Sequence, residues 1–466
     1  MSADRSPLAG HAARRRAARK VERASWADER AQVARFAGRN GAMRPQAGRN
    51  RAGGGAGPHA ATTITLGAMY PFVAGGPLPD GGILVGRDRL SGSGFAWDPF
   101  LAYRQQRVQS PGCLVLGSVG TRKSTLVKSH LGRAALFGQR SVVLDPKGEY
   151  TALADRLGGR VFALDPAGAV GFSPFVTGDR AAGANLALAA ALVETVLGSG
   201  LSQDSHAVLA EAVREMSRDE APTLRALIGC LDGPSEAMVI AARMTSAGWA
   251  DVARPVLHAL DRLTGKHRDL AGILDGDRPF QIGDAEFVVV DLSAAWAVRE
   301  KQPLVLPLLM NVAMAAIGEA LARDRRPTYL VVDEAWAVLS YPAPARWVAG
   351  WVKLARQYAV STVLVMHRLS DILATADADT AHREVVKGLL SDVGTFALFR
   401  QEPQERPLLR GLLGMNAMTV SIVTDPLSMM PGRSLWKVGT AINLVDHMLT
   451  VDELAVADTD AAMRGE

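Results

Sequence analysis

Short runs of apolar, mostly β-branched residues recur along the chain after residue 110, and longer segments with helical spacing separate them. Such runs are typical of strands that are buried on both faces of a parallel sheet and joined by crossover helices. The predicted strands are, in chain order, residues 113–116, 141–145, 161–165, 287–292, 329–334, 362–367 and 396–400. The pattern therefore predicts an α/β fold with a mostly parallel central sheet.

The spacing of these strands divides the chain into predicted parts. Residues 179–278 contain no such apolar run and are rich in Ala, Leu and Arg, which indicates a helical insertion within an α/β domain. Residues 61–110 alternate short strand-like pieces with Gly and Pro turns and predict a small β element. We therefore assign the core to residues 111–178 and 279–466.

Two longer apolar stretches need a separate interpretation. Residues 303–322 have about the length of a membrane span, but Pro307, Asn311 and Glu319 interrupt them. Residues 181–197 are similarly apolar and shorter. We predict that both stretches are buried helices of the core.

The basic residues are concentrated at the start of the chain. The 466 residues include 52 Lys and Arg and 47 Asp and Glu, a net charge of +5. Residues 1–60 hold 13 basic and 4 acidic residues, whereas the rest of the chain holds 39 basic and 43 acidic ones. The basic pI is therefore no evidence for a nucleic-acid-binding core. We predict a disordered, solvated tail over residues 1–60, and a contact to DNA phosphates or an anionic membrane surface is its alternative role.

The cysteine content and the start of the chain bear on location. The chain has only Cys113 and Cys230, which excludes a disulfide scaffold, and they lack the CxxC spacing of a zinc site. Nothing in residues 1–60 resembles the apolar segment of a signal peptide. We expect reduced thiols and a cytoplasmic protein.

Residues 113–127, CLVLGSVGTRKSTLV, predict a phosphate-binding loop between a strand and a helix. Backbone N–H groups of such a loop face phosphates, the lysine reaches the β- and γ-phosphates, and the following serine binds Mg²⁺. The predicted ATP-binding residues are Gly117, Ser118, Val119, Gly120, Thr121, Arg122, Lys123, Ser124 and Thr125. Arg122 replaces the usual glycine before the lysine. The loop is therefore either held by its surroundings and functional, or eroded and weak in binding.

A pair of carboxylates follows the apolar run at 329–332, in YLVVDEAW. The carboxyl ends of parallel strands form the ligand crevice of α/β sheets. We predict that Asp333 holds Mg²⁺, partly through water, and that Glu334 orients or deprotonates the attacking water. The alternative interpretation is that the pair only caps a helix.

Residues 141–150, SVVLDPKGEY, add a third motif after the phosphate loop. Together with GSVGTRKST, YLVVDEAW, LARQYAVSTVLVMHRLSD and SDVGTFALFRQ, it resembles the conjugative-transfer and type IV secretion ATPases of the HerA–FtsK group. The resemblance spans about residues 62–460. It implies a RecA-like P-loop NTPase fold with an inserted helical subdomain, and a homo-oligomeric, hexameric ring that hydrolyses ATP at its subunit interfaces.

The resemblance also implies roles for single residues. Asp145 and Glu149 match an acidic motif near the Mg²⁺ side. His367 stands where the family carries a glutamine that senses the γ-phosphate; a histidine can also donate a hydrogen bond, and the alternative is a strand-end histidine without function. Arg356 and Arg400 are both candidates for a catalytic cation supplied to a neighbouring subunit, and either can instead be structural.

The expected function is that of an ATP-hydrolysing motor of a conjugation or type IV secretion apparatus. Its expected partners are channel subunits of that apparatus, with DNA as a further partner through the basic tail. Its expected location is the cytoplasm or the inner face of the cell membrane. The alternatives are a soluble DNA translocase of the same fold, and a nucleotide-binding scaffold without turnover, which Arg122 and His367 suggest.

Overall fold

The computed structural model describes residues 81–168, 171–177, 181–264, 270, 272–371 and 380–457. The predicted tail at 1–60 and the first part of the predicted β element lie outside the described residues. The described strands are β1 (Ile83–Asp88), β2 (Gly94–Trp97), β3 (Cys113–Leu116), β4 (Arg140–Asp145), β5 (Arg160–Ala163), β6 (Phe287–Asp291), β7 (Thr328–Val332), β8 (Val360–Met366), β9 (Thr395–Leu398), β10 (Arg433–Val438) and β11 (Ala441–His447).

These strands form one sheet in the order β2-β1-β11-β10-β9-β3-β8-β7-β4-β6-β5. The seven strands from β9 to β5 in this order are parallel and correspond to the seven predicted strands. The other four strands, β2, β1, β11 and β10, extend the sheet in antiparallel pairs. The β structure before residue 110 therefore belongs to the same sheet. The predicted α/β fold with a mostly parallel sheet is confirmed.

Helices cover both faces of the sheet. They are α1 (Pro99–Arg104), α2 (Lys123–Leu136), α3 (Thr151–Leu157), α4 (Ala181–Leu197), α5 (Gln203–Met216), α6 (Leu224–Asp232), α7 (Glu236–Ala241), α8 (Ser246–Asp261), α9 (Ser293–Val298), α10 (Val305–Arg323), α11 (Ala335–Leu339), α12 (Pro342–Tyr358), α13 (Thr380–Ser391), α14 (Arg406–Gly411), α15 (Ala417–Thr424) and α16 (Val451–Ala457).

Alternate residues of the parallel strands belong to two separate hydrophobic clusters, because successive side chains of a strand point to opposite faces. In β3, Leu114 and Leu116 join the cluster that includes the helical segment 181–261, whereas Cys113 and Val115 join the cluster that includes α2 and α3. Burial on both faces explains why an inner strand such as β3 is uniformly apolar.

The predicted core helix at 303–322 is α10. It is the one helix among the described residues that is long and apolar enough to cross a membrane, and 78% of its apolar window is buried within the protein. It packs against α4 and α12. The prediction of a buried helix is therefore confirmed, and α4 matches the second predicted core helix.

Between β5 and β6 the chain forms α4 to α8, and the described residues of this stretch contain no strand. The entering and leaving segments lie side by side, because Ser173 and Pro279 form a parallel bridge. The subdomain boundaries at residues 179 and 278 stay a prediction.

Candidate nucleotide site

The predicted phosphate loop and the carboxylate pair lie one strand apart. The loop follows β3, Asp333 and Glu334 follow β7, and β8 lies between these two strands. His367 is the first residue after β8. Because all three strands are parallel, their carboxyl ends meet at one edge of the sheet, where α/β folds bind ligands.

The phosphate loop is folded against β9. The N–H of Ser118 donates to the carbonyl of Arg400 at 3.1 Å, and the Thr121 hydroxyl donates to the carbonyl of Ser118 at 2.7 Å. A Cβ at Gly117 would lie 2.5 Å from the Cβ of Phe399, so only glycine fits this position. Val119 at the tip of the loop is 80% exposed.

Arg122 adopts the left-handed conformation, with φ of 72°, at the position where the motif carries glycine. A non-glycine residue in this region costs about 1–2 kcal/mol. The loop before β10 supports the backbone next to Arg122, because the N–H of Gly432 donates to the carbonyl of Thr121 at 3.2 Å. The neighbouring backbone therefore stabilises the atypical loop.

Helix α2 begins at Lys123, and Ser124 and Thr125 lie in its first turn. No side chain caps this helix start, so its first N–H groups remain donors for an anion such as a phosphate. The Lys123 side chain is buried and donates to the carbonyl of Ser118 at 3.1 Å. Burial lowers the pKa of Lys123 to about 8, although the charges of Glu334 and Asp333 oppose that shift.

His367 connects the lysine and the glutamate. Its Nδ1 lies 3.0 Å from Nζ of Lys123, and its Nε2 lies 3.1 Å from Oε1 of Glu334. A lysine ammonium can only donate and a carboxylate can only accept. The contacts therefore assign the ring proton of His367 to Nε2.

Glu334 is held by three side chains. Oε1 accepts from His367 and from the ammonium of Lys147, and Oε2 accepts from the indole N–H of Trp336. Its backbone is left-handed, with φ of 45°, which is a sparsely populated conformation for glutamate. Burial alone would raise the pKa of Glu334, but the hydrogen bonds from His367 and Lys147 outweigh it and lower the pKa to about 2.

Asp333 is buried, and one of its carboxylate oxygens accepts from the N–H of Glu334 at 2.8 Å. Burial and the charges of Glu149 and Glu334 raise the pKa of Asp333 to about 7. Asp333 thus lacks enough positive charge around it, and a divalent cation would supply it.

Asp145 and Glu149 play different parts. The Asp145 carboxylate accepts from three backbone N–H groups, those of Lys147, Gly148 and Tyr150, at 2.9–3.1 Å. Asp145 therefore shapes its own turn, and its part in holding a metal stays a prediction.

Glu149 forms a long ion pair, 3.8 Å, with the buried ammonium of Lys128. Both paired atoms are buried and have no hydrogen-bond partner within the described part of the chain. Lys128 lies one helical turn after Ser124, and burial lowers its pKa although the charges of Glu149, Asp333 and Asp145 oppose the shift. This face of α2 is thus directed at the acids.

The side chains fit a magnesium ion held jointly with phosphates. No group of three or more His, Cys, Asp or Glu side chains within the described ranges forms a complete metal cage. Mg²⁺ commonly uses only one or two protein ligands, with substrate phosphates and water completing its octahedron. Ser124 and Asp333 would be these ligands, with Glu149 contributing negative charge.

The two candidate arginines lie in different places. Arg400 is the second residue after β9, and its carbonyl accepts from the N–H of Ser118, so it is beside the loop of its own subunit. Arg356 is exposed in the last turn of α12, which leads into the start of β8. It therefore lies at the opposite end of the strands from its own phosphate loop and is not brought into that site.

Several residues of the site were missed from sequence. They are Lys147, Trp336 and Lys128. Lys147 lies inside the motif DPKGEY, for which only the acidic residues were predicted to act in the site. Lys128 is four residues after Ser124 and lies on the same helix face. The spacing of Lys128 was a usable signal, whereas the contact of Lys147 depends on the pairing of β4 with β7.

No family model matches the sequence, and no curated protein matches it. The structure of VirB4 of Thermoanaerobacter pseudethanolicus matches with a TM-score of 0.65 at 19% identity, over 82% of this chain and 100% of that chain. The plasmid coupling protein TrwB in complex with ADP and Mg²⁺ matches with a TM-score of 0.53 at 14% identity, over 82% and 92%. The unbound form of the bacterial conjugative coupling protein TrwB matches with a TM-score of 0.52 at 13% identity, over 82% and 92%.

The chain has the fold of VirB4 and TrwB. This finding confirms the predicted RecA-like P-loop fold class and the resemblance to the conjugative ATPases at the level of the fold. At these identities the similarity establishes architecture, and the chemistry has to be argued from the side chains.

Proposed function

We propose that the chain is an ATP-binding and ATP-hydrolysing motor subunit of a conjugation or type IV secretion apparatus. The observation that carries this proposal is the chain of contacts from Lys123 through His367 to Glu334, which joins the phosphate loop to the predicted catalytic base. The shared fold with VirB4 and the conjugative coupling protein TrwB supports it. TrwB has been solved with ADP and Mg²⁺ and with a non-hydrolysable ATP analogue, which favours the same ligands here.

The proposed reaction is the hydrolysis of the terminal phosphate. The oxygen of a water adds to the terminal phosphorus, the bond from that phosphorus to the bridging oxygen of ADP breaks, and Glu334 takes the proton of the water. Lys123 and the N–H groups at the start of α2 hold the phosphates. Mg²⁺, bound at Ser124 and Asp333, would neutralise phosphate charge. His367 would detect the phosphate, since a phosphate bound to Lys123 competes with its Nδ1 for the ammonium.

We propose that Arg356 acts in the site of a neighbouring subunit. It is exposed and lies at the opposite end of the strands from its own phosphate loop, so the nucleotide that it could contact is one bound to a second copy of the chain. A homo-oligomeric ring, predicted to be hexameric, would create such an interface. Arg400, which borders its own loop, is the weaker candidate.

The proposed partners are channel subunits of the apparatus, at the cytoplasmic face of the cell membrane. DNA contact through residues 1–60 is proposed as a further interaction, because basic side chains bind phosphates without regard to base sequence.

The deciding experiment measures Mg-ATP turnover of the purified full chain and of Glu334→Gln, with and without single- and double-stranded DNA. We expect turnover in the wild type and its loss in Glu334→Gln. Nucleotide binding without turnover in the wild type would contradict the proposed motor function and favour the alternative, a nucleotide-binding scaffold. Stimulation by DNA that disappears when residues 1–60 are deleted would favour the DNA translocase.

A further inference from the structure

Lys147 contacts Glu334 from a rigid turn. The Asp145 carboxylate binds the N–H groups of Lys147, Gly148 and Tyr150, which fixes the backbone of Lys147 and of the residues that follow it. The next residue, Gly148, has φ of +73°, and a Cβ there would lie 3.2 Å from the side chain of Ser293. The backbone of the turn is therefore fixed, and only the side chain of Lys147 has freedom to move.

The exposure of the two partners differs. The side chain of Lys147 is 36% exposed, whereas that of Glu334 is 8% exposed. An ammonium at the border of solvent keeps part of its hydration when it leaves its partner, so breaking this ion pair costs less than breaking a fully buried one. Lys147 is thus the partner of Glu334 that can leave at low cost.

Both oxygens of the Glu334 carboxylate accept hydrogen bonds, and Oε1 accepts two of them. Oε1 accepts from both Lys147 and His367, and Oε2 accepts from Trp336. Oε2 already has one donor bound, and release of a donor from Oε1 would give Glu334 a second oxygen able to accept the proton of the water. His367 is tied to Lys123, and Trp336 is only two residues from Glu334, so Lys147 is the donor that can be released.

We propose that Lys147 is a positioning residue, a latch that holds Glu334 in a resting ion pair until a terminal phosphate draws the ammonium away. This inference rests on the proposed ATP hydrolysis. The network already joins both ammonium groups, because Lys123 contacts His367 and His367 shares Oε1 of Glu334 with Lys147. A multiply charged phosphate bound at Lys123 would compete with the single charge of Glu334 for Lys147.

The first test compares Lys147→Met with Lys147→Arg in steady-state ATP hydrolysis. We expect Lys147→Met to raise kcat about tenfold with KM unchanged, equivalent to about 1.4 kcal/mol in the barrier. Lys147→Arg should restore the low basal rate because it keeps the charge. Lys387→Met is the matched control, since Lys387 is 38% exposed and pairs with Glu384 on α13. It should hydrolyse ATP like the wild type.

Other results of this comparison would contradict the latch. A lower kcat in Lys147→Met, or a higher KM, would overturn the latch, because the lysine would then assist the reaction or bind the phosphate. Equal rates in Lys147→Met and the wild type, in protein that binds and hydrolyses ATP, would overturn the latch and leave the proposed function intact. A wild type that binds no nucleotide would overturn both.

The second test needs no turnover. A double-mutant cycle of Lys147→Met and Glu334→Gln, read by thermal unfolding, measures the coupling of the two side chains. We expect coupling in the nucleotide-free protein and with ADP, and its loss with saturating non-hydrolysable ATP analogue. Coupling that persists unchanged with the analogue would contradict release of the latch by the terminal phosphate.

Discussion

The Nδ1 atom of His367 lies 3.0 Å from the Nζ atom of Lys123. The contact exists because β8 runs between β3 and β7, so the residue after β8 emerges between the phosphate loop and the carboxylates. Through its second ring nitrogen the same imidazole reaches Glu334. A change in what Lys123 binds is therefore passed to Glu334 through a single side chain.

The lysine and the glutamate are expected to fail in different ways when substituted. Lys123→Ala removes a buried ammonium that would contact phosphates, so nucleotide binding should weaken. Glu334→Gln keeps the size of the side chain and removes the proton acceptor. Its binding should stay near that of the wild type while turnover falls about 10²–10⁴-fold. Equilibrium binding of a fluorescent ATP analogue, together with phosphate release, checks both results, and equal loss of affinity in both variants would contradict the role of Glu334 in the chemical step.

Asp145 is expected to stabilise the protein independently of metal. Asp145→Ala leaves three N–H groups without their acceptor in a partly buried turn, which costs about 3 kcal/mol. Asp145→Asn keeps the oxygen that accepts from Lys147 and Gly148, so it should cost less. Chemical denaturation with and without Mg²⁺ measures the effect. A loss seen only in the presence of Mg²⁺ would instead place Asp145 at the metal.

Two histidines, the buried His130 and the half-buried His447, predict that the protein is less stable in mild acid. Burial lowers the pKa of His130 to about 3 and that of His447 to about 4, from an ordinary value of 6.5. Between about pH 4 and 6.5 the unfolded chain binds protons that the folded protein does not, so stability rises with pH in this window and falls as pH drops through it. At about pH 5 each histidine should cost about 2 kcal/mol relative to neutral pH.

The measurement compares unfolding free energies near pH 7.5 and pH 5 for the wild type, His130→Gln and His447→Gln. Each substitution should shrink the pH difference, even where it lowers stability at neutral pH through the lost bonds to Tyr329 or Ser129. His206→Gln, at an exposed position of α5, is the control and should leave the difference unchanged. An undiminished pH difference in both test variants would show that other groups cause the acid sensitivity.

The parallel half of the fold was predictable because burial on both faces gives a strand a nearly uniform apolar run, as in β3 and β7. The antiparallel half was harder. In β11 only two of seven residues are buried, so no continuous run marks it. It forms a local hairpin with β10, but its other partner is β1, more than 350 residues earlier in the chain, and no local pattern encodes that second pairing.

The residues of the candidate site also differ in whether a local sequence pattern predicts them. Lys123 and Ser124 were predictable because the phosphate loop is a local motif with fixed spacing. Asp145 was assigned to the metal side, yet its carboxylate is used by the turn that follows it, and an Asp before a Pro and a Gly is itself a turn signal. The contact between Lys147 and Glu334 requires β4 to lie beside β7, which depends on the order of strands in the sheet.

Arg356 is expected to act across a subunit interface. Arg356→Ala alone should bind nucleotide like the wild type and lose turnover by a factor of about 10³ or more, because a cation in trans stabilises transition-state charge. Mixing Arg356→Ala with Glu334→Gln subunits creates interfaces at which an intact Glu334 meets an intact Arg356, and partial activity should return there. The same mixture made with Arg400→Ala is the matched comparison, and since Arg400 borders the phosphate loop of its own subunit, its mixture should recover less. Recovery with Arg400→Ala and none with Arg356→Ala would reverse the assignment, because an arginine that complements in mixed rings must be the one that reaches the neighbouring nucleotide.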